Sequence, residues 1–341
     1  MTGRTGTLPE IPVVRIAGGN AGLELARRHP ERLEDLWRQA RRRYTLPAIR
    51  LGDDISRRWL SRSHNPHLAE IDAIAGLLGR PGAHLLNLSF EWGCSSASLP
   101  LPGGGNRLLR TLDWNLAGLG RNLVVARQEG AAGPYDNVTW PGFVGVLTAM
   151  APGRFAAAIN QPPLPWTGLS RPVDWLLARR RQLAARTLPP AHLLRQVFER
   201  CRTYAEAKRT LAETPLCLPA FYTICGTRPE DGCVIERTET QAMVHETPAA
   251  IANHWVRMPR RGRPRGHNSH GRLQAMHALF EAPPADLSWL RPPVLNRDTR
   301  LALVADAAAG LLTLQGLERP GAATRVLTLR HSAVSAARVT G

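Results

Sequence analysis

A dense turn signal between two apolar runs constrains the fold of this chain more than any other segment. Residues 102–106 read Pro-Gly-Gly-Gly-Asn, and the runs on either side are strand-like, a pattern typical of a β-hairpin. Folding the chain about residues 103 and 104 places Asp113 opposite Cys94, with Arg110 nearby. The hairpin therefore offers a thiol both a carboxylate and a guanidinium, as a nucleophile with its orienting charges requires.

The composition indicates a soluble globular protein with a substantial core. The chain has 341 residues, of which 43% are hydrophobic, and it contains no apolar run of 18 residues or more. No membrane-spanning helix is therefore predicted. Residues 1–12 lack the apolar stretch of a secretory signal, so we expect a cytoplasmic protein.

The net charge of +17 comes almost entirely from arginine, since Lys208 is the only lysine. Many arginines lie on the polar faces of predicted helices, as in the runs 41–43 and 179–181, which favours their interpretation as solvated surface. Attraction to nucleic acid or to another acidic surface is the alternative.

The five cysteines predict neither a metal site nor a disulfide framework. None forms a CxxC pair, and no set of cysteines and histidines has the spacing of a zinc site. The odd count and the missing secretion signal argue against disulfides. Free cysteines are usually buried and inert, and only Cys94 has a neighbourhood that indicates chemistry. We expect no cofactor.

The pattern of elements predicts an α+β fold. Residues 20–78 read as helical, and the apolar run 84–90 is expected to lead into Cys94 as a strand. Two further helices are expected at 190–200 and at 203–213, where Thr203 and Glu206 form a capping box. Further strands are predicted at 107–114, 122–127, 143–150, 154–160, 220–225, 232–237, 249–256, 300–306, 310–315 and 325–330. Two blocks of strands, each followed by helices, favour two antiparallel sheets face to face with helices outside.

A family resemblance appears at the hairpin. Arg110 and Asp113 follow Cys94 by sixteen and nineteen residues, and this spacing resembles the cysteine members of the N-terminal nucleophile hydrolases, acid ceramidases and N-acylethanolamine acid amidases above all. The chain is also similar to the penicillin acyltransferases, in which a Gly-Cys bond like Gly93–Cys94 cleaves itself. Over 66–318, further segments carry the resemblance in the same order: 67–87 (HLAEIDAIAGLLGRPGAHLLN), 142–160 (GFVGVLTAMAPGRFAAAIN), 195–211 (RQVFERCRTYAEAKRTL), 220–237 and 293–297 (PVLNR). The resemblance implies the four-layer αββα sandwich of these hydrolases.

The resemblance also implies that the chain cleaves itself between Gly93 and Cys94. Residues 1–93 would become a small chain and 94–341 a large one, together forming one structural domain. Cys94 would then carry a thiol and a free α-amine, whose reference pKa of about 7.7–8.0 suits a general base at neutral pH. Arg110 would favour the thiolate, and Asp113 would hold the new ammonium group. Residues three apart on a strand face opposite sides, so both can reach Cys94 only if the strand bends, bulges or ends between them.

Two more distant residues match the family pattern. Asn253 matches the asparagine that donates to the oxyanion, and Arg272 matches the arginine that follows it and helps to hold the charge balance of the site. The segment between them is longer than in the acid ceramidases because of the Pro/Gly/Arg-rich loop 257–265. Asn268 is therefore a rival for Asn253.

The sequence indicates fewer candidate residues for the substrate pocket than for the nucleophile and its partners. Asn160 and Gln161 match an Asn-Glu pair of the acid ceramidases and are predicted to form the pocket wall or a second oxyanion donor. Trp114 and Trp140 are candidates for an acyl pocket, with packing in the core as the alternative. The histidines at 254, 267 and 270 are expected to be structural or exposed.

The sequence thus predicts an amidase that cleaves a linear, non-peptide N-acyl amide through a thioester on Cys94, without a metal. By resemblance, the acyl group is apolar. An acyltransferase that passes the acyl group to an amine is one alternative, and an arginine-rich polyanion-binding protein with a silent site is another.

Overall fold

The computed structural model describes residues 7–88, 92–166, 168–319 and 321–331, without the side chains of residues 171 and 175. An eight-stranded sheet, sheet A, has the strand order β1-β4-β5-β6-β7-β9-β10-β11, and a six-stranded sheet, sheet B, has the order β12-β2-β3-β14-β15-β16. The strands of sheet A, in chain order, are β1 Val13–Ile16, β4 Val124–Gly130, β5 Gly133–Thr139, β6 Thr148–Ala151, β7 Phe155–Asn160, β9 Ala220–Cys225, β10 Gly232–Arg237 and β11 Ala242–Glu246. Those of sheet B are β2 Gly93–Pro100, β3 Asn106–Asp113, β12 Ala249–Ile251, β14 Thr299–Asp306, β15 Leu311–Gly316 and β16 Leu327–Arg330.

Both sheets are antiparallel apart from the parallel pair of β1 with β4. A small ribbon joins β8 Leu164–Pro165 to β13 Gly262–Arg263. The helices are α1 Ala21–Arg28, α2 Pro30–Arg43, α3 Leu46–Arg62, α4 Leu68–Leu78, α5 Ala83–Asn87, α6 Arg171–Ala184, α7 Pro190–Arg200, α8 Tyr204–Glu213 and α9 Ser269–His277, with a 3-10 turn at Leu287–Trp289. Within the described ranges, none of these helices combines the length and the apolar character needed to cross a bilayer.

The layers follow from the alternation of side chains along the strands. On the hairpin, Leu108 and Leu112 face sheet A and belong to the main hydrophobic core, whereas Leu99 and Leu109 face outward. The outward face of sheet B is covered by α9 and the 3-10 turn, and sheet A is covered by α1, α7 and α8. The order helix, sheet, sheet, helix confirms the four-layer αββα sandwich.

The segment before Cys94 is part of the same core. Leu23, Trp59 and Ile71, from α1, α3 and α4, belong to one hydrophobic cluster with residues of both sheets. A buried ion pair at 2.8 Å joins Glu70 of α4 to Arg195 of α7. Residues on both sides of position 93 therefore pack as one unit.

The hairpin forms at the predicted place, but its register is one residue different from the prediction. Asp113 lies opposite Gly93, and Cys94 lies opposite Leu112, because the loop contains the odd number of residues 101–105. The backbone of Gly104 has φ +101° and that of Gly105 has φ +82°, a region that residues with a Cβ rarely adopt. The glycines therefore specify this turn.

Three of the predicted strands are wrong in part. Residues 84–87 are helical, as part of α5, because His84 finds a polar partner in Asp53 of α3 and Asn87 in the carbonyl of Gly142. Residues 89–91 lie outside the described residues. The strand predicted at 143–150 begins only at residue 148. The strand predicted at 249–256 ends at residue 251, because the chain then turns so that three backbone N–H groups, those of residues 256–258, bond to the buried carboxylate of Glu236.

Candidate active site

Cys94 lies between the two sheets, near the start of β2, and its side chain is fully buried. Its Sγ lies 3.6 Å from the carbonyl oxygen of Ile159, at the end of β7 in the facing sheet. The thiol is therefore held at the contact of the two sheets, where water does not reach it.

Arg110 lies on the same inner face and contacts the thiol directly. Arg110 is opposite Ser96 and so diagonal to Cys94, and its Nη2 lies 3.4 Å from Sγ. Its Nη1 donates to the carbonyl of Ile159 at 2.8 Å, which fixes the guanidinium. Burial raises the pKa of the Cys94 thiol to about 11, although Arg110 and Arg272 lower it. In this continuous chain the thiol is thus protonated at neutral pH.

Asp113 lies on the other face of the hairpin, at the end of β3. Its carboxylate accepts hydrogen bonds from Thr299 Oγ1 and Asn296 Nδ2, each at 2.9 Å, and lies 3.7 Å from Arg272 Nη1. Burial raises the pKa of Asp113, while Arg272 and these two donors act to lower it. Arg110 and Asp113 therefore lie on opposite sides of the backbone of Cys94, with the strand ending at Asp113.

Asn253 follows β12, the strand that pairs with β2, and contacts the backbone at Cys94. Its Oδ1 accepts from the backbone N–H of Cys94 at 2.8 Å and from Arg272 Nη2 at 2.8 Å. Its Nδ2 donates to the carbonyl of Gln161 at 2.7 Å. The side chain is fully buried, so Asn253 positions the nitrogen of the bond that would be cleaved.

Arg272 reaches the same point from α9, on the outer face of sheet B. Its guanidinium donates to the carbonyl oxygen of Cys94, and at 3.0 Å to Ser95 Oγ. It is fully buried. Arg272 thus connects the backbone of the nucleophile with Asn253 and Asp113.

The rival asparagine is placed elsewhere. Asn268 has a left-handed backbone and caps α9, where its side chain accepts from the N–H of Gly271 at 3.0 Å. The longer segment between Asn253 and Arg272 folds into the loop before α9. Its Gly266 lies against Gly93, with Cα 3.4 Å from where a Cβ on Gly93 would be.

Asn160 and Gln161 lie at the end of β7, where Asn160 contacts Arg110, the partner of the Cys94 thiol. Asn160 donates to the carbonyls of Ile251 and Ala252, and its Oδ1 accepts from Ser96 and Arg110. This side chain therefore joins the two sheets. Gln161 is buried, and its Nε2 has no hydrogen-bond partner among the described residues. An unpaired buried donor of this kind is available to a bound oxygen.

Trp114 and Trp140 line one apolar cavity of about 80 Å³, bounded by α2, α4 and α5. The indole N–H of Trp140 donates to the carbonyl of Leu119 at 2.7 Å. Trp114 packs against Trp92, with ring centroids 5.2 Å apart. Both tryptophans thus take part in core packing and also border a space that an apolar group could enter.

The histidines near the site have partners of their own. His254 Nδ1 lies 2.8 Å from Ser269 Oγ, and its ring stacks on His270 at 3.9 Å. Burial, with help from His270 and Arg272, lowers the pKa of His254 to about 4. His267 pairs with Asp298 at 2.8 Å. Among the residues that the structure describes, no group of three or more His, Cys, Asp or Glu side chains is placed to hold a metal ion.

The sequence analysis missed four residues that support the site. Asn296 and Thr299 hold Asp113, Ser95 accepts from Arg272, and Ser269 accepts from the backbone N–H of Asn253 at 2.9 Å. The segment 293–297, which carries part of the resemblance, contained the signal for Asn296. The other three lie in segments whose sequence gives no sign of their role.

Comparison with known proteins gives partial matches in sequence and a longer match in structure. Acid ceramidase of Bos taurus is 29% identical over 109 residues, which are 32% of this chain and 26% of that protein. The N-acylethanolamine-hydrolyzing acid amidase of Oryctolagus cuniculus is 27% identical over 178 residues, which are 50% of this chain and 48% of that protein. The match thus spans about a quarter of the first relative and about half of the second. No family profile matches the chain.

A solved structure extends the likeness. The Caenorhabditis elegans N-acylethanolamine-hydrolyzing acid amidase ortholog superposes with a TM-score of 0.50 at 20% identity, over 63% of this chain and 93% of that one. This match shows the fold, in agreement with the four layers described above. The chain has the fold of the N-terminal nucleophile hydrolases and is similar in sequence, over part of its length, to acid ceramidase and to N-acylethanolamine-hydrolyzing acid amidase.

Proposed function

We propose that this protein is a self-processing cysteine amidase that cleaves a linear, non-peptide N-acyl amide. One observation carries the proposal. Three side chains hold one residue: Arg110 contacts the thiol of Cys94, Asn253 its backbone nitrogen, and Arg272 its carbonyl oxygen. A cysteine that only filled the core would need none of these partners.

Processing would begin with attack of the Cys94 thiol on the carbonyl carbon of Gly93. A C–S bond forms and the C–N bond to Cys94 breaks, and the nitrogen takes the proton of the thiol. Water then hydrolyses the thioester, so that Gly93 ends in a carboxylate and Cys94 gains a free amine. A Cβ on Gly93 would lie at ordinary contact distances of 3.4 Å from Asn253 Oδ1 and 3.5 Å from Asp113 Cβ, so the carbonyl that is attacked lies directly beside both side chains.

Turnover would use the same thiol with the new amine as its base. The amine takes the proton of the thiol, the sulfur attacks the substrate carbonyl, and the leaving amine receives the proton. Water hydrolyses the resulting thioester and restores the thiol. Asn253 and Asp113 would hold the ammonium form of the amine, and Gln161 Nε2 is the buried donor available to the oxyanion.

The segments 1–93 and 94–341 would stay together as one structural domain after cleavage. The relatives are named for hydrolysis of ceramide and of N-acylethanolamines, which supports an apolar acyl group here. The acceptor is water in this proposal; an amine in its place would make the protein an acyltransferase. The cytoplasmic location stays a prediction.

The test is the intact mass of the purified wild-type protein, of Cys94→Ala and of Cys201→Ala. We expect two fragments that divide between residues 93 and 94 in the wild type, and a single chain in Cys94→Ala. Cys201 is also a buried, free cysteine, so its alanine variant is the matched control and should be cleaved. A wild type that hydrolyses an N-acyl amide while residues 93 and 94 remain joined would contradict the mechanism.

A further inference from the structure

A groove of about 440 Å³ begins at Gln161, directly behind the candidate site. One wall is α6, and the other is formed by the β8–β13 ribbon with its flanking loops, residues 162–166 and 259–265. Residues 217–219 close the groove on a further side. A hydrogen-bonded ion pair between Arg263 and the buried Asp174, at 3.0 Å, connects the two walls.

Two lining residues connect this groove to the nucleophile. The carbonyl of Gln161 accepts from Asn253 Nδ2 at 2.7 Å, and Asn253 in turn holds the nitrogen of Cys94. The backbone N–H of Arg265 donates to the carbonyl of Asn253 at 3.2 Å, and the carbonyl of Arg265 accepts from Arg272 at 3.1 Å. Gln161 and Arg265, which line the groove, are thus both hydrogen-bonded to Asn253, the side chain that also holds Cys94.

The side chains that line the groove carry mainly positive charge. Its lining includes a single acidic residue, Glu239, and five arginines, at 179, 181, 260, 261 and 265. Arg181, Arg260 and Arg261 are exposed. These three take part in none of the ion pairs found among the described residues. A cleft lined by one sign of charge concentrates ligands of the opposite sign, and guanidinium groups match the geometry of a carboxylate.

We infer that the groove binds an acidic group on the amine part of the substrate, so that the substrate is an N-acyl amide with a carboxylate beyond the amide nitrogen. This inference rests on the proposed amidase function. The apolar cavity beside Trp114 and Trp140 has no charged side chain in its lining, so the arginine-lined groove is the one assigned to the leaving amine with its carboxylate. Apolar side chains of the groove, such as Trp166, Leu218 and Trp255, cover the carbon atoms beside the charge.

The test compares two probes that share an acyl chain: N-dodecanoylglycine, which carries a carboxylate, and N-dodecanoylethanolamine, which is neutral. Their dissociation constants are measured with the full chain carrying Cys94→Ala, which cannot turn them over. We expect the glycine conjugate to bind about tenfold more tightly at low salt, with a smaller difference at high salt. The double variant Arg181→Glu with Arg260→Glu should abolish this preference.

The matched control is Arg180→Glu with Arg257→Glu. Arg180 lies on α6 and Arg257 in the loop 257–265, and both are exposed, but neither lines the groove. The preference for the glycine conjugate should therefore remain in this variant. The groove assignment would be overturned if the two probes bound with equal affinity. It would also be overturned if both double variants lost the preference for the glycine conjugate to the same extent. Hydrolysis of both probes by the wild type is measured separately. A wild type that hydrolyses neither probe contradicts the amidase proposal, whereas the binding preference still reports on the groove.

Discussion

Asn253 accepts a hydrogen bond from the backbone N–H of Cys94, with 2.8 Å between Oδ1 and the nitrogen. The two residues are 159 positions apart and meet because β12 pairs with β2 in sheet B. The same oxygen also accepts from Arg272. In the proposed mechanism it therefore orients first the nitrogen of the bond that breaks and then the amine that serves as base.

This relationship predicts that Asn253→Ala slows both self-cleavage and amide hydrolysis. Loss of one oriented polar group in such a site costs about 10²–10³ in rate. The time course of fragment formation by intact mass measures the effect on cleavage. Asn268→Gly is the control, because it removes the rival amide while glycine accepts the left-handed backbone. Greater loss in Asn268→Gly than in Asn253→Ala would contradict the assignment.

The charge of Arg110 acts to lower the pKa of the Cys94 thiol against the larger effect of burial, and we predict that its replacement moves the pH dependence of processing. Burial raises the pKa of Cys94, and the charge of Arg110, 3.4 Å from Sγ, acts in the opposite direction. Without that charge the thiolate forms only at higher pH. The alkaline rise of the cleavage rate should therefore shift to higher pH in Arg110→Met, and shift less in Arg110→Lys, which keeps the charge. Equal profiles in the two variants would show that the charge has no such role.

Part of this site was predictable because the residues concerned are close in sequence. The glycine-rich turn predicts the hairpin, which brings Cys94, Arg110 and Asp113 near one another. The predicted register pairs Asp113 with Cys94, whereas the observed register places Cys94 and Arg110 on one face and Asp113 on the other. The one-residue difference in register was not predictable, because the run of three glycines permits turns of more than one length. The helix α5 was misassigned since a short apolar run fits a strand or a buried helix equally well.

The other part of the site depends on contacts between distant segments. Thr299 reaches Asp113 only because β14 pairs with β3, and Gly266 reaches Arg272 only through the fold of one irregular loop. The arginine run 179–181 lies on a predicted helix, and the structure shows this helix as α6, Arg171–Ala184, although its bounds were not predicted. Sequence periodicity indicates which face of an element is buried, but it does not indicate which distant segments meet.

We predict that Gly266, outside the hairpin, is a second position at which a substitution slows self-cleavage. Its φ is +68°, and a Cβ there would lie 3.0 Å from Arg272 Nη2. Gly266→Ala should therefore displace the guanidinium that holds the carbonyl of Cys94 and slow fragment formation at least about tenfold. Gly153→Ala is the matched control, because its φ of +72° gives the same backbone strain with no atom within 4 Å. If both variants are cleaved at the same rate, backbone strain alone explains the loss.

His84 predicts a pH-dependent stability of the helical layer beside the cleavage site. Burial acts to lower the pKa of His84, but hydrogen bonds to Asp53 and Asp72 outweigh it, so the pKa is raised. This contribution to the free energy of unfolding is complete below the unfolded-state pKa of about 6.5 and is lost as the pH rises through the folded-state pKa. His84→Asn should thus destabilise the protein more at pH 5.5 than at pH 8.5 in urea unfolding. The exposed His64→Asn is the control, and an equal effect of His84→Asn at both pH values would refute the prediction.

The buried pair of Glu70 and Arg195 should hold the two segments together. Glu70 accepts the backbone N–H of Gly22 at 2.8 Å and Arg195 Nη1 at 2.8 Å, and both charged side chains are buried. Removing one partner of such a pair costs about 3–5 kcal/mol of stability. In Glu70→Gln the loss of stability should be smaller, because Arg195 keeps its contact with Glu199. Glu24→Gln, which breaks an exposed pair with Arg28, should cost less than about 1 kcal/mol. Chemical denaturation measures both losses of stability. In size-exclusion chromatography of the processed protein, the small chain, residues 1–93, should separate from the large chain more readily in Glu70→Gln than in Glu24→Gln.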